Sequence, residues 1–288
     1  MILIADGGSS KVDWSLIDQG VLIKRVFLKG ANPFFRTRTD ISNEISNILV
    51  PEVRDCKIES IHFFGAGCAF ADKNEIIRAA IADNFDVDNI EVGSDLLGAA
   101  IGLYGNKPGI ACILGTGSNS CFYDGKEIRE NVSPLGFILG DEGSGAVLGR
   151  LFTGACLKNQ LTNGLKEKFL NEYKLSPAEI LENVYRQPLP NRFLASFSPF
   201  IKNNIDDKTI YNLVYNAFAD FFRKNVMQYN CKENKVSFVG SIAFHFQDVL
   251  RQAAANLNIE TGSIVQSPME GLVQWTMDNE EKALALNS

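Results

Sequence analysis

The chain uses one local pattern twice: an apolar run, a turn of glycines and hydroxyls, and a second strand-like run. Near the start, residues 1–5 lead into Asp6-Gly7-Gly8-Ser9-Ser10-Lys11 and then into 12–17. Roughly a hundred residues later, 110–114 lead into Gly115-Thr116-Gly117-Ser118-Asn119 and then into 121–123. A strand, a Gly/Ser/Thr hairpin and a strand gather backbone N–H groups and hydroxyls around a concavity that suits phosphate oxygens. A repeated strand-hairpin unit inside alternating β and α signals implies two related α/β domains.

The flanking pattern agrees with that division. Residues 21–28, 60–64 and 90–92 read as strands, and Ile41, Ile45, Ile48 and Leu49 recur at helical spacing behind a Thr39/Asp40 cap. Asp72 with Glu75 three residues on reads as a capping box opening a helix to about residue 84. Gly105-Asn106-Lys107-Pro108-Gly109 is a breaker cluster where the architecture restarts. We therefore expect a first domain over 1–108 and a second over 109–268. A last helix over 269–288 is expected to pack back on the first domain. In the second half, 137–139 reads as a strand, and helices are expected over 143–158, 165–173, 177–185 and 209–229. A strand over 236–239 should be followed by a helix through 256.

Composition narrows the function. The 288 residues carry a net charge of −6 with Lys and Arg scattered, which disfavours a nucleic-acid groove or an anionic membrane surface. No apolar run approaches the ~18 residues that span a bilayer, and the first strand carries Asp6 with no leader pattern before it. The six cysteines show neither CxxC nor zinc-ligand spacing, so reduced core thiols in a cytoplasmic protein are expected.

Several polar residues sit where α/β proteins place chemistry. Asp6, at a strand end beside the first hairpin, suits a hydrated Mg²⁺, or equally a cap on local amides. Asp95 lies between a strand end and a helix start. It can accept a hydroxyl proton during phosphoryl transfer, or act as an N-cap worth ~1 kcal/mol. In Gly140-Asp141-Glu142-Gly143, carboxylates at a helix start suit sugar hydroxyls, although a helix N-terminus favours acids in any case. Asn32, before Pro33 and two phenylalanines, could read a polar ligand or simply make a turn. Val239-Gly240-Ser241 offers bare backbone to a ring or a tight strand-to-helix turn. His62 and His245 have no paired ligand or nucleophile and read as structural.

Taken together, these strings resemble the sugar kinase, Hsp70 and actin superfamily. Within it they resemble the N-acetylglucosamine kinases, in the wider family that includes the benzoyl-CoA reductase activator ATPases. The likeness runs from Asp6 to about Gly271. Asp6 to Lys11 is similar to the family's first phosphate motif, Gly115 to Asn119 to its second, Gly140 to Ser144 to its sugar-contacting loop, and Val239-Gly240-Ser241 to its adenosine motif. The resemblance implies two ribonuclease-H-like, actin-like ATPase domains hinged over a central cleft. It implies an ATP- and Mg²⁺-dependent kinase that phosphorylates a hydroxyl of an amino sugar, with N-acetylglucosamine as the leading substrate.

By the same resemblance Asp95 is the catalytic base, and Asn32, Asp95, Gly136 and Asp141 contact sugar. Gly7, Gly8, Ser9, Ser10, Lys11, Gly115, Thr116, Gly117, Ser118 and Asn119 hold phosphates, Gly240 and Ser241 lie near adenosine, and Asp6 serves the metal. Partners are then small molecules, not nucleic acid or membrane, and the family allows a homodimer. Two alternatives on the same fold are an activator-type ATPase and a nucleotide- or sugar-binding regulator without turnover. Pro134-Leu135-Gly136 stands where animal N-acetylglucosamine kinases carry glycine–tryptophan–glycine, so the sugar-pocket wall differs. No cysteine pattern suggests the cluster ligand of the activator ATPases.

Overall fold

Each hairpin forms the middle of a five-stranded sheet, and both sheets have the same strand order. In the first, β1 (Ile2–Gly7) pairs antiparallel with β2 (Lys11–Asp18), which pairs antiparallel with β3 (Val21–Lys29). On its other side β1 runs parallel to β4 (Ser60–Gly65), which runs parallel to β5 (Asn89–Ser94). In the second, β6 (Gly109–Leu114) pairs antiparallel with β7 (Ser118–Tyr123), and β8 (Ile128–Val132) lies at the edge. Parallel to β6 follow β9 (Val236–Val239) and then β10 (Thr261–Val265). The orders β3-β2-β1-β4-β5 and β8-β7-β6-β9-β10 are the same mixed topology built twice. The class is α/β.

This computed structural model describes residues 1–8 and 11–286. Ser9 and Ser10, expected phosphate ligands, lie outside the described residues. The chain divides into two compact units. One comprises Met1–Pro108, Asp124–Ile128 and Ser267–Ser288, and the other Gly109–Tyr123 and Arg129–Gln266.

In the first unit, β1 is central and Leu3, Ile4 and Ala5 are fully buried, which is why this strand reads as an unbroken apolar run. Edge strand β3 alternates Lys24, Arg25 and Lys29 with exposed Val21, Ile23 and Phe27, and charge at an edge discourages further pairing. The Met269–Leu286 helix packs on the Asp95–Tyr104 helix and on β1. The crossing is tight: a Cβ at Gly271 would fall on the carbonyl oxygen of Gly102.

The second unit carries an aromatic core. Phe169 meets Phe152, Phe197 and Phe200 at ring-centroid separations of 4.9, 4.9 and 5.3 Å, largely edge to face. Such pairs contribute about 0.5–1.5 kcal/mol each beyond area burial. They fix the short helices Pro190–Ala195 and Ser198–Asn203 against the Gly145–Leu157 helix.

Several local expectations are corrected. Residues 137–139 belong to a single helical turn, Gly136–Leu139, because Leu135 and Gly136 take left-handed φ values of 60° and 75° and turn the chain out of any strand. Thr37, not Thr39, caps the Arg38–Glu44 helix, in a reciprocal capping box with Asp40. The Ala71–Ala82 helix starts at Phe70 with no side-chain cap, so Asp72 and Glu75 make no capping box. The helix expected to run from Ser241 through Asn256 breaks at Phe246 into Ser241–His245 and Gln247–Asn256.

All six cysteines are free thiols, and Cys68, Cys112, Cys121 and Cys156 are buried. Among the described residues no helix is long and apolar enough to cross a membrane.

Gly271→Ala is expected to force the two helices of the first unit apart and to destabilise by about 1–3 kcal/mol, as overpacking does. A thermal melt of the variant should show a transition lowered by several degrees. An unchanged melt would mean that the crossing is looser than described.

Candidate active site

Strand register decides what the first hairpin presents. Asp6 pairs with Asp13 across β1 and β2, so the two carboxylates share one face. Asp13 is buried and its charge is met by a two-point ion pair with Arg25 from β3. Among the described residues Asp6 has no such partner; it accepts a hydrogen bond from the Ser267 hydroxyl at 3.3 Å. Burial pushes its pKa up to about 6, the Ser267 bond opposes this, and the charges of Asp13 and Asp95 add to the rise, with Lys11 pulling the other way. Gly7 closes β1 and Gly8 is exposed. Lys11 opens β2, with its ammonium 4.6 Å from the centre of the Phe27 ring.

Asp95 resolves differently from either local expectation taken alone. Ser94 is the residue that caps the Asp95–Tyr104 helix, its hydroxyl accepting from the Leu97 N–H at 3.1 Å. Asp95 is the first helical residue, and its Oδ1 accepts from the Leu96 N–H at 2.9 Å. Burial drives its pKa upward, partly offset by bonds from the Leu96 and Asp95 amides. The helix is therefore capped without Asp95, which keeps a second carboxylate oxygen available.

Asn32 sits in the turn before the first helix, and its Oδ1 accepts from the Phe34 N–H at 3.0 Å. Its backbone carbonyl accepts from Phe35 and Arg36. The turn role expected of an asparagine here is real, and it leaves the amide NH₂ for other partners. His62 bonds Glu91 at 3.0 Å and meets the edge of Trp275, a structural arrangement.

The second hairpin is tied to the acidic loop. The Asp141 Oδ1 accepts from the Ser118 N–H at 3.2 Å. Asp141 itself is left-handed, φ 51°, a conformation aspartate tolerates better than most residues. Burial raises its pKa to about 6; the Ser118 N–H opposes this and the Glu142 charge reinforces it. Glu142 is engaged elsewhere, bonded by Lys224 at 3.1 Å and Asn225 at 3.3 Å. Burial works against its ionisation, but its own amide, Lys224 and Asn225 together hold its pKa below the usual value. Gly136 opens an exposed turn in which Leu135, Ile138 and Leu139 are 62%, 74% and 76% accessible.

Gly115, Thr116 and Gly117 form the loop between β6 and β7. The Gly115 carbonyl accepts from the Gly145 N–H at 2.8 Å, and the Thr116 carbonyl from Ala146 at 3.1 Å, which anchors the loop on a helix N-terminus. Ser118 and Asn119 lie within β7; the Asn119 side chain accepts from Ser120 N–H and Asn131. Gly240 has φ 121° and packs on the Leu114–Gly115 backbone, where a Cβ would overlap the Leu114 carbonyl. Only glycine meets both conditions.

Beside this loop the second unit holds a cavity of about 470 Å³. Gly115 and Thr116 form one part of its lining, Ser241, Ile242, His245 and Phe246 another, and Ser198, Pro199, Lys202 and Asn203 a third. Thus Thr116 and Ser241, assigned from separate motifs, meet at one cavity. The helical wall at 195–203 was not foreseen, and His245 lines the cavity although it read as structural. Such volume with a few polar groups among apolar ones suits a small-molecule ligand.

A duplicated β-hairpin sheet carrying paired loops and strand-end carboxylates is the architecture of the actin-like ATPases, the sugar kinase, Hsp70 and actin superfamily. No family model matches the chain. Among curated proteins, the N-acetylmuramic acid/N-acetylglucosamine kinase of Clostridium acetobutylicum is 30% identical over 223 residues, covering 71% of this chain and 72% of its own. Among solved structures, a candidate N-acetylglucosamine kinase of Porphyromonas gingivalis is 48% identical with a TM-score of 0.95, covering 97% of this chain and all of its own. A ROK-family glucokinase of Streptomyces griseus, solved with glucose and AMPPNP, has a TM-score of 0.57 over 95% of this chain and 97% of its own. At 16% identity that likeness is one of fold alone. The chain belongs to the N-acetylglucosamine kinase family.

Asp141 yields a pH test with a definite sign. Its pKa is raised in the native state, so ionising it costs stability as pH climbs from about 4 to 6, and the penalty persists above. Asp141→Asn keeps an acceptor for Ser118 and removes the penalty. It should stabilise the unliganded protein above pH 6 by about 1–2 kcal/mol, after allowance for partial exposure, and leave it unchanged near pH 4. Denaturation at both pH values checks this; equal stabilities throughout would contradict it.

Proposed function

We propose that the chain is an ATP-dependent kinase that transfers a phosphoryl group to a hydroxyl of an amino sugar, with N-acetylglucosamine the leading substrate. The observation that carries the reading is Asp95: a half-buried carboxylate at a strand-to-helix junction, with its capping duty taken by Ser94, in a chain 48% identical to a candidate N-acetylglucosamine kinase over nearly its whole length.

In the second unit, the Gly115–Gly117 loop, with its amides and the Thr116 hydroxyl, would take the polyphosphate. The cavity beside it would take the nucleoside. Asp141, turned by its left-handed backbone and steadied by Ser118, would accept hydrogen bonds from sugar hydroxyls. In the first unit, Asn32 would donate its amide to the sugar, and Asp95 would accept the proton of the attacking hydroxyl. As the sugar oxygen bonds to phosphorus, the bond from phosphorus to the nucleoside diphosphate breaks, and the proton passes to Asp95. Positioning and charge neutralisation supply most of the acceleration in such a transfer. Gly7, Gly8 and Lys11 would add donors for the phosphates.

The residues fit Mg²⁺. Asp6 is a half-buried carboxylate, and among the described residues it forms no ion pair and no group of three or more His, Cys, Asp or Glu could cage a metal alone. That is the donor set expected where Mg²⁺ takes one carboxylate, its own waters and substrate phosphates. When bound, the ion would offset phosphate charge.

The test is ADP release measured across a panel of sugars. Amino-sugar-dependent ADP formation is expected, with a sugar phosphate as product; sugar-independent ATP hydrolysis would point to an activator-type ATPase. Asp95→Asn should keep sugar and nucleotide affinity and lose about 10²–10⁴-fold in kcat. For the wild type, kcat/KM, which reports the free enzyme, should fall on acidification with a midpoint above the ordinary aspartate range, because only ionised Asp95 accepts the proton. Near-normal turnover in the variant would overturn the role of Asp95.

A further inference from the structure

The cavity in the second unit has two ends, and helix directions tell them apart. The Ser198–Asn203 helix begins beside the phosphate loop: a Cβ at Gly145 would lie 3.2 Å from the Ser198 hydroxyl, and Gly145 N–H bonds the Gly115 carbonyl. The Ser241–His245 helix also begins there, since Gly240 packs on Leu114 and Gly115. Both helices run away from the loop at 1.5 Å per residue, so Lys202 and Phe246 lie about 6–7 Å further along. They meet at that distal wall, the Lys202 ammonium 5.7 Å from the centre of the Phe246 ring.

Lys202 is only partly exposed, its ammonium rests near the Phe246 ring, and among the described residues no carboxylate pairs with it. A cation set among Pro199, Ile242 and Phe246 without a counter-charge is an open donor. Its ammonium lies beside the Phe246 ring, at the end of the cavity away from the loop. What remains at that end is the base, whose faces suit the apolar walls and whose edge carries acceptors.

We propose that Lys202 reads the base of the nucleotide, its ammonium donating to a ring nitrogen of a purine packed toward Phe246. Adenine and guanine both offer N7 as an acceptor on the five-membered ring, whereas a pyrimidine lacks that ring and carries its acceptors, N3 and O2 of cytosine, at different positions relative to the sugar. Lys202 thereby selects purine over pyrimidine phosphoryl donors. This rests on the reading that the cavity holds the nucleotide.

Calorimetric binding of adenosine, ADP and CDP to the wild type, Lys202→Met, Lys202→Arg and Thr116→Ala tests it. Lys202→Met should weaken adenosine and ADP by the same factor, about tenfold, and erase the preference for ADP over CDP. N-acetylglucosamine affinity should be untouched, and Lys202→Arg should stay within about threefold of the wild type. Thr116→Ala should weaken ADP but not adenosine. Wild-type affinity of Lys202→Met for adenosine overturns the proposal, including the case where ADP alone weakens, which would place Lys202 at the phosphates. A wild-type protein that binds neither adenosine nor ADP would instead overturn the reading of the cavity.

Discussion

Three carboxyls held away from water organise this molecule: Asp6, Asp95 and Asp141 all ionise less readily than a free aspartate because burial removes solvent from them. Keeping them there costs stability, and the packing around them is what makes the cost tolerable. Leu3, Ile4 and Ala5 lock β1 in the centre of its sheet, and a cluster of phenylalanines fixes the helices beside the second loop. Each carboxyl then has a backbone partner or a hydroxyl and, among the described residues, no ion pair. A ligand that brings hydroxyl donors or positive charge relieves that deficit.

The second unit joins motifs that lie far apart in the chain. The Gly115–Gly117 loop is bonded to the Gly145–Leu157 helix through Gly145 and Ala146, and to the acidic loop through Ser118 and Asp141. Gly240 comes against the same loop from β9. The residues proposed for phosphate, sugar and nucleoside are therefore held by one set of backbone contacts. Altering the loop would be felt at Asp141.

Much of this was legible in the sequence because the signal was periodic or duplicated. The central strands announce themselves as apolar runs, the turns as glycine and hydroxyl clusters, and the repeated order gives the fold class. Asp95 was undecidable locally, since Ser94 and Asp95 are both good caps; geometry gave the cap to Ser94. The distal cavity wall was not legible. Its helices, Pro190–Ala195 and Ser198–Asn203, span six residues each, too short for a helical period, and their prolines and serines read as loop. Residues 137–139 were misread for a related reason: three apolar residues fit a strand as well as a turn, and the left-handed Leu135 has no sequence signature. Ser267 was missed as a partner of Asp6 because nothing local links residues so distant in sequence.

On the proposed reading a sugar binds by satisfying Asp141, a carboxyl that burial makes harder to ionise. N-acetylglucosamine carries no group that titrates near neutrality, so any proton that moves on binding belongs to the protein. Calorimetric titration of the sugar at pH 6, in two buffers of different ionisation enthalpy, measures that proton directly. Hydroxyl donors favour the ionised form of Asp141, so release of a fraction of a proton per sugar is expected, lost in Asp141→Asn. Heats that are identical in the two buffers, or proton uptake, would contradict it.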